Sequence, residues 1–306
     1  MSSPYGVLTL VCNLNAGRGA VGKCLPEVER LLVERGLEYE VVRTEGRGHA
    51  TLLTKEALER GRQLIVAVGG DGTIHEVVNG LIEDDKATNP EAKLGVVAAG
   101  TGSDFIKTFG IPSSPSHAVV HLDGDEFFPI DIGKITFTEN GSEVVRYFAN
   151  VAEAGLGARV VERAARLPRF FGPTVYFFAF WLTIARHKPA RVKVDLMTRT
   201  YEGEMNNMVI ANGQFFGGGM KIAPKAAPTD GVLDFQIEHA SKRDAIAVMP
   251  KVYKGQHVPH PKILEAKRVQ ASIESEPPLL LEADGEVLGY TPARFELLRD
   301  AIHLKV

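Results

Sequence analysis

The stretch Leu64-Ile65-Val66-Ala67-Val68-Gly69-Gly70-Asp71-Gly72-Thr73-Ile74 decides the fold. Five apolar, largely β-branched residues read as a strand buried on both faces. The run from Ile74 to Ile82 reads as a helix, and three glycines around one carboxylate join the two. Glycine lets the backbone approach an anion, and a helix N-terminus offers unpaired N–H groups and the positive end of a dipole. Asp71 repels phosphate, so its place in this turn points to a metal ion bridging it to a nucleotide. The same residues also suit a tight strand-to-helix turn capped by Asp71, and the surrounding sequence decides between the two readings.

Working outward, the first 125 residues alternate strand and helix. Val7–Asn13 is predicted as a strand, Gly22–Arg35 as a helix closed by Gly36, Glu40–Thr44 as a strand, and His49–Arg60 as a helix closed by Gly61. Leu94–Ala98 is the next strand, and Gly100-Thr101-Gly102 turns the chain after it. Repeated βα units with non-alternating apolar strands imply a parallel sheet covered on both faces. In such sheets the loops after the strands line the ligand crevice. Asn13–Gly19, Thr44–Gly48, Gly69–Thr73 and Gly100–Asp104 all fall there, which is the pattern of a nucleotide site.

Beyond about Ile130 the texture changes to β-rich runs separated by turn signals at Asn140-Gly141, Glu202-Gly203, Asp230-Gly231 and Asp284-Gly285. This predicts an antiparallel β-sandwich interrupted by helices over Tyr176–Arg186 and Lys242–Lys254. The expected division is 1–130 for the α/β nucleotide domain and 131–306 for the sandwich, with the boundary near Pro129–Gly133.

Composition narrows the class of protein. With 306 residues, 44% hydrophobic and 24% charged, the chain is expected to be soluble, with two domains. A net charge of −3 gives no support for a nucleic-acid partner. Cys12 and Cys24 are expected to be reduced and packed as small hydrophobes, which suits the cytoplasm. No secretory leader is read at the N-terminus, and the longest apolar run, Val175 to Ala185, is too short to span a bilayer.

Gly69-Gly70-Asp71-Gly72-Thr73, followed by His75-Glu76 and Asn79-Gly80, resembles the diacylglycerol kinase catalytic domain shared by bacterial lipid kinases and sphingosine kinases. Gly100-Thr101-Gly102-Ser103-Asp104-Phe105 is similar to that family's GTGNDF. Asp131-Ile132-Gly133 and Asn150 through Gly157 are similar to its DxG and N-x-x-x-G-x-G segments. Pro228 through Asp234 is similar to its P-x-D-G-x-L-D turn, and Asp284-Gly285-Glu286 to its late D-G-E. Two positions depart from the pattern. The first loop reads Asn13-Leu14-Asn15-Ala16-Gly17 where the family has N-P-x-S-G, which puts loop rigidity and nucleotide affinity in question, and Ser103 replaces an Asn.

The resemblance implies a Rossmann-like domain of the NAD-kinase and phosphofructokinase type, then a β-sandwich, and an ATP- and Mg2+-dependent lipid kinase whose expected acceptor is a hydroxyl of a membrane-derived lipid, diacylglycerol giving phosphatidate. Transfer of a phosphoryl group needs a phosphate cradle, Mg2+ and a base on the acceptor hydroxyl. Asn13, Gly17, Thr44, Gly69, Gly70, Asp71, Gly72, Thr73, Ile74, His75, Gly100, Thr101 and Gly102 are the expected nucleotide-binding residues, with Asp71 also holding the catalytic metal. A capping role competes for Thr44 and Thr101. The resemblance makes Glu286 the general base. It makes Asp230 a structural Mg2+ ligand, aided by the carbonyls of Ala227 and Val232, where the residues alone suggest an ordinary turn.

Arg159, Arg163 and Arg166 recur at helical spacing, ahead of Tyr176, Phe177, Phe178, Phe180 and Trp181. Cations beside an aromatic segment suit docking on the anionic inner face of a membrane, against the alternative of a solvated face beside a core helix. The expected partners are therefore ATP and a lipid at the membrane surface, and a homodimer is admitted. An NAD kinase and a non-catalytic lipid-binding protein on a kinase scaffold are the rival readings. His257 and His260 flank prolines in a loop and are not expected to hold metal.

Overall fold

The computed structural model describes residues 4–98, 103–167 and 174–306. The chain divides into two compact units, Met1–Asp131 with Arg299–Val306, and Ile132–Leu298. The first division falls inside a single strand, Phe127–Glu139, rather than in a linker. The expected second domain ran to residue 306. Instead, the last eight residues group with the first unit, because His303 and Leu304 pair in parallel with Lys93 and Leu94. Asp131 fastens this return by accepting the Asp300 N–H at 2.9 Å.

In the first unit, parallel strands lie in the order Tyr39–Arg43, Leu8–Cys12, Leu64–Gly69, Lys93–Ala98 and the C-terminal segment. Leu64–Gly69 and Lys93–Ala98 are buried along their whole length, as non-alternating apolar runs require in a sheet covered on both faces. A core of Leu8, Leu10, Val28, Leu32, Val66 and Val119 packs this sheet against the helices Ala16–Glu34 and Pro115–Leu122. The first helix begins six residues earlier than the sequence suggests, at Ala16. Its opening is broken by left-handed backbone at Gly17, Arg18 and Gly19, so residues 17–19 keep the character of a loop.

The second unit is a sandwich. One antiparallel layer carries Ile263–Arg268, Leu233–Glu238, Asn207–Ala211, Val151–Gly155, Leu280–Ala283 and the start of Glu286–Lys305. The other carries Thr200–Met205, Ala190–Asp195 and Gln270–Glu276. Phe148, Val194, Phe235, Ile273, Leu281 and Phe295 fill the space between the layers. A second core, with Val160, Phe180, Met220 and Met249, packs the outer face of the first layer against the helices Leu156–Arg166, Val175–Ile184 and Lys242–Val252.

The turns at Asn140-Gly141 and Asp284-Gly285 form as expected, with positive φ at both residues of each, the conformation of two-residue hairpins. Glu202-Gly203 is no turn. It lies within the strand Thr200–Met205, and the chain reverses at Leu196–Arg199 instead, with Met197 left-handed. A side chain at Gly203 would press on Tyr201, whose hydroxyl folds back to the Glu204 carbonyl at 2.8 Å.

Candidate active site

In the first unit, hydrogen bonds tie the loops after the strands together. The Asn13 N–H donates to the Val68 carbonyl at 3.2 Å, and the Thr44 N–H and hydroxyl donate to the Cys12 carbonyl at 3.0 and 3.5 Å. Asp71 Oδ1 accepts the Phe105 N–H at 3.0 Å. The structure thus brings Asn13, Thr44, Asp71 and the segment after residue 102 to one edge. Gly100, Thr101 and Gly102 lie outside the described residues.

Helix Asp71–Leu81 starts directly at the strand end, with Gly70 as its extended N-cap and no side-chain cap. The Thr73 and Ile74 N–H groups both turn back to the Gly70 carbonyl at 2.9 and 3.2 Å. Gly69 is required because a Cβ there would lie 2.3 Å from Thr73 Oγ1, whereas a Cβ at Gly70 would meet nothing within 4 Å. The first turn therefore opens beside a glycine with free space, the arrangement that accepts an anion. Thr73, Ile74 and His75 are buried under this turn.

The residues after the turn have another job. Glu76 accepts the Gly48 and Ala50 N–H groups at 2.8 and 2.9 Å and so caps helix His49–Glu59 from outside. The Thr51 hydroxyl donates to the Glu76 carbonyl at 2.8 Å. At Gly80 a Cβ would lie 2.5 Å from Thr54 Cβ and 2.8 Å from the Thr51 carbonyl, so the two helices cross there at backbone distance. Glu76 and Gly80 thus hold helix Asp71–Leu81 against helix His49–Glu59.

In the second unit Glu286 follows the hairpin turn and pairs across it with Ala283. The turn is fixed from behind. Asp284 is buried, and its carboxylate accepts three successive N–H groups, those of Ala149, Asn150 and Val151, at 2.8, 3.0 and 3.0 Å. Its own N–H donates to the Val151 carbonyl at 2.8 Å. Asn150 in turn donates its side-chain amide to the Phe215 carbonyl. The Asn of the N-x-x-x-G-x-G segment and the Asp of D-G-E therefore form one bracket, with Glu286 two residues beyond it.

The glycines of that segment make room. Gly155 has φ +112, and a Cβ at Gly157 would lie 2.1 Å from Glu153 Oε2. The Gly157 N–H donates to Asn207 Oδ1 at 2.9 Å, and Asn207 Nδ2 donates to Glu153 Oε1 at 2.8 Å. Glu282, the cross-strand partner of Glu153, is fully buried, accepts the Gly285 N–H at 2.9 Å, and has no partner at Oε1 among the described residues. Burial pushes Glu153 up to about 7 and Glu238 up to about 8, and it raises Glu282 as well. Sequence reasoning missed these three carboxyls. The available signal was an acidic residue inside an otherwise apolar strand, Val151-Ala152-Glu153-Ala154.

Glu153, Asn207 and Glu238 form the polar wall of a cavity lined otherwise by Leu156, Val160, Phe180, Phe216, Met220 and Met249, among others, with an empty volume of about 660 Å³ including its mouth. Nearby, helix Val175–Ile184 buries Ala179, Phe180, Thr183 and Ile184 and turns Phe177, Phe178, Trp181 and Leu182 outward, each at least 40% exposed. On helix Leu156–Arg166 the expected cationic stripe is partly neutralised, since Glu162 pairs with Arg159 at 3.4 Å and Arg166 at 2.9 Å.

Asp230 lies in a turn with Gly231 at φ +74. Its Oδ1 accepts the Val232 N–H at 3.2 Å and the Ala227 carbonyl accepts its N–H at 3.2 Å. Its Oδ2 is 2.8 Å from Lys267 Nζ. Among the described residues no group of three His, Cys, Asp or Glu side chains is placed to hold a metal, and no helix is long and apolar enough to cross a membrane.

A parallel α/β unit with a glycine turn between strand and helix is followed in the chain by an antiparallel sandwich. Residues 7–135 match the diacylglycerol kinase catalytic domain, and residues 150–306 match the YegS C-terminal NAD kinase beta sandwich-like domain. The chain is 30% identical to a diacylglycerol kinase of Staphylococcus haemolyticus over 96% of this chain and 86% of that one. It is 30% identical to a diacylglycerol kinase of Bacillus subtilis over 96% and 94%. A solved structure from Bacillus anthracis, provisionally described as a diacylglycerol kinase, superposes with a TM-score of 0.78 at 25% identity, covering 98% of this chain and 97% of that one. The chain belongs to the diacylglycerol kinase family and is a lipid kinase.

Proposed function

We propose that this protein transfers the γ-phosphate of ATP to the free hydroxyl of a membrane-derived lipid, diacylglycerol giving phosphatidate, in the presence of Mg2+. Within the family, the observation that carries the acceptor side is the cavity of the second unit. Apart from Glu153, Asn207 and Glu238, its lining is predominantly apolar. A lining of this kind, apolar with carboxyl groups at one wall, suits an acyl chain better than the phosphates of a dinucleotide.

Each residue's role follows from its chemistry. The backbone N–H groups at the start of Asp71–Leu81, beside Gly69 and Gly70, hold the phosphates. Asp71 offers a hard carboxylate oxygen at the same spot, which fits Mg2+; when bound, the ion neutralises charge on the phosphates. Glu286 takes the proton of the lipid hydroxyl as its oxygen bonds to the γ-phosphorus, and the bond to the bridging oxygen of ADP breaks. Phe177, Phe178, Trp181 and Leu182 rest in the interfacial layer of the membrane, holding the protein peripherally at its inner face.

The test is transfer of label from γ-labelled ATP to mixed lipid vesicles containing diacylglycerol, with NAD+ offered separately without lipid. Label in phosphatidate, lost on removal of Mg2+, is the expected result. Label in NADP+ in the lipid-free reaction refutes the reading. So does lipid binding without transfer to any lipid, which would instead describe a binding protein.

A further inference from the structure

The turn Ala227–Asp234 shows how this chain departs from the metal-held turn that its motif implies. Lys267, on strand Ile263–Arg268, points its ammonium into the turn. Its Nζ lies 2.8 Å from Asp230 Oδ2, 3.1 Å from Asp234 Oδ2 and 3.1 Å from the Lys225 carbonyl. An ammonium has three N–H donors and no acceptor; here it donates to Asp230 Oδ2 and the Lys225 carbonyl, and the Asp234 carboxylate pairs with its charge. That donor set, hard oxygens from two acids and a main chain, is also what a divalent cation would take.

The other atoms of the turn are engaged too. Asp230 Oδ1 accepts the Val232 N–H, and the Ala227 carbonyl accepts the Asp230 N–H. Beside them Lys225 pairs with Glu265 at 2.9 Å. Three carboxylates, Asp230, Asp234 and Glu265, thus face two ammoniums. A divalent cation placed on Asp230 would sit within a few ångströms of Lys267, where like charges repel.

We infer that Lys267 is an internal cation that holds the Ala227–Asp234 turn in place of a structural divalent metal, so that the second unit is stable without one. Lys267 is a positioning residue and takes no part in phosphoryl transfer. The inference is separate from the Mg2+ assigned to Asp71, which serves the nucleotide.

The test uses the full chain, stripped with EDTA, without nucleotide or lipid, so that its readouts do not depend on turnover. Metal content after desalting from MgCl2 and thermal unfolding with and without MgCl2 are measured for the wild type, Asp71→Asn, Asp230→Asn, Lys267→Met and Lys267→Arg. The expected wild-type result is no retained metal and a melting temperature unmoved by Mg2+. Lys267→Met should melt lower by about 4 °C. Mg2+ should return part of that loss, because two unpaired carboxylates now form a site; Lys267→Arg should stay near the wild type. A bound equivalent of metal, or a Mg2+-dependent rise in melting temperature, that disappears in Asp230→Asn but persists in Asp71→Asn overturns the inference. An unchanged melting temperature in Lys267→Met overturns it as well.

Discussion

Replacing Glu153 with Gln should stabilise the second unit at alkaline pH and leave it unchanged in acid. Glu153 is 4% exposed, beside Glu282 on the neighbouring strand. Burial raises its carboxyl from the usual 4.5 to about 7, with the Asn207 hydrogen bond opposing the rise. A folded-state value above the unfolded one means that the native state holds the extra proton. The contribution is fully present below about 4.5 and is lost as pH climbs through about 7. The gap between the two values is worth roughly 3 kcal/mol, an upper bound because Glu282 readjusts when its neighbour changes. Gln keeps the shape and the oxygen that accepts from Asn207 Nδ2 while never ionising. The expected gain is about 2 kcal/mol at pH 9, or about 4–8 °C in melting temperature for a unit of this size, falling to nothing near pH 4.5. Trp181 is the chain's single tryptophan and lies in this unit, so its fluorescence follows the transition. An equal shift at both pH values, or a loss of stability at pH 9, would refute the account of a buried, proton-holding carboxyl.

Three further outcomes follow from the geometry. Asp284→Ala strands three buried N–H groups and should cost about 3–5 kcal/mol in urea unfolding, with Asp284→Asn losing about half as much. Glu286→Gln should lower turnover by about 100-fold or more while nucleotide affinity, read by titration with a fluorescent ATP analogue, is kept; near-normal turnover removes Glu286 as the base. Replacing Phe177 and Trp181 together with Ser should weaken sedimentation with anionic vesicles by about 10-fold or more without shifting the melting temperature, since both rings already face outward.

Much of the fold could be read from the sequence because its signals are local. Buried apolar runs closed by glycine specify βα units within a few residues, and Asn140-Gly141 and Asp284-Gly285 specify hairpins by their own backbone preferences. Glu202-Gly203 misled for the same reason. A glycine serves a turn or a crowded strand equally well, and here it clears space beside Tyr201. The strand–turn–helix junction at Gly69–Thr73 was also legible, but the supports were not. Glu153, Asn207, Glu238 and Glu282 come from four separate strands, and the Lys267 clamp reaches back 37 residues to Asp230. Only the register of the sheet places them together. The same is true of Glu76, whose carboxylate caps a helix that precedes it by nearly thirty residues.

The return of Arg299–Val306 to the first unit bears on how the chain is made. During synthesis the parallel sheet is complete in sequence up to Ala98 while the edge of Lys93–Ala98 still lacks its partner, because His303 and Leu304 are translated only after the whole of Ile132–Leu298. Buried Leu304, and Asp131 with the Asp300 N–H, cannot meet their partners until residues 299–306 have been synthesised. The unit that begins first is thus finished only after the second has been translated. A nascent chain stalled before residue 299 presents an open parallel edge, the kind of surface on which chaperones and misassembly compete.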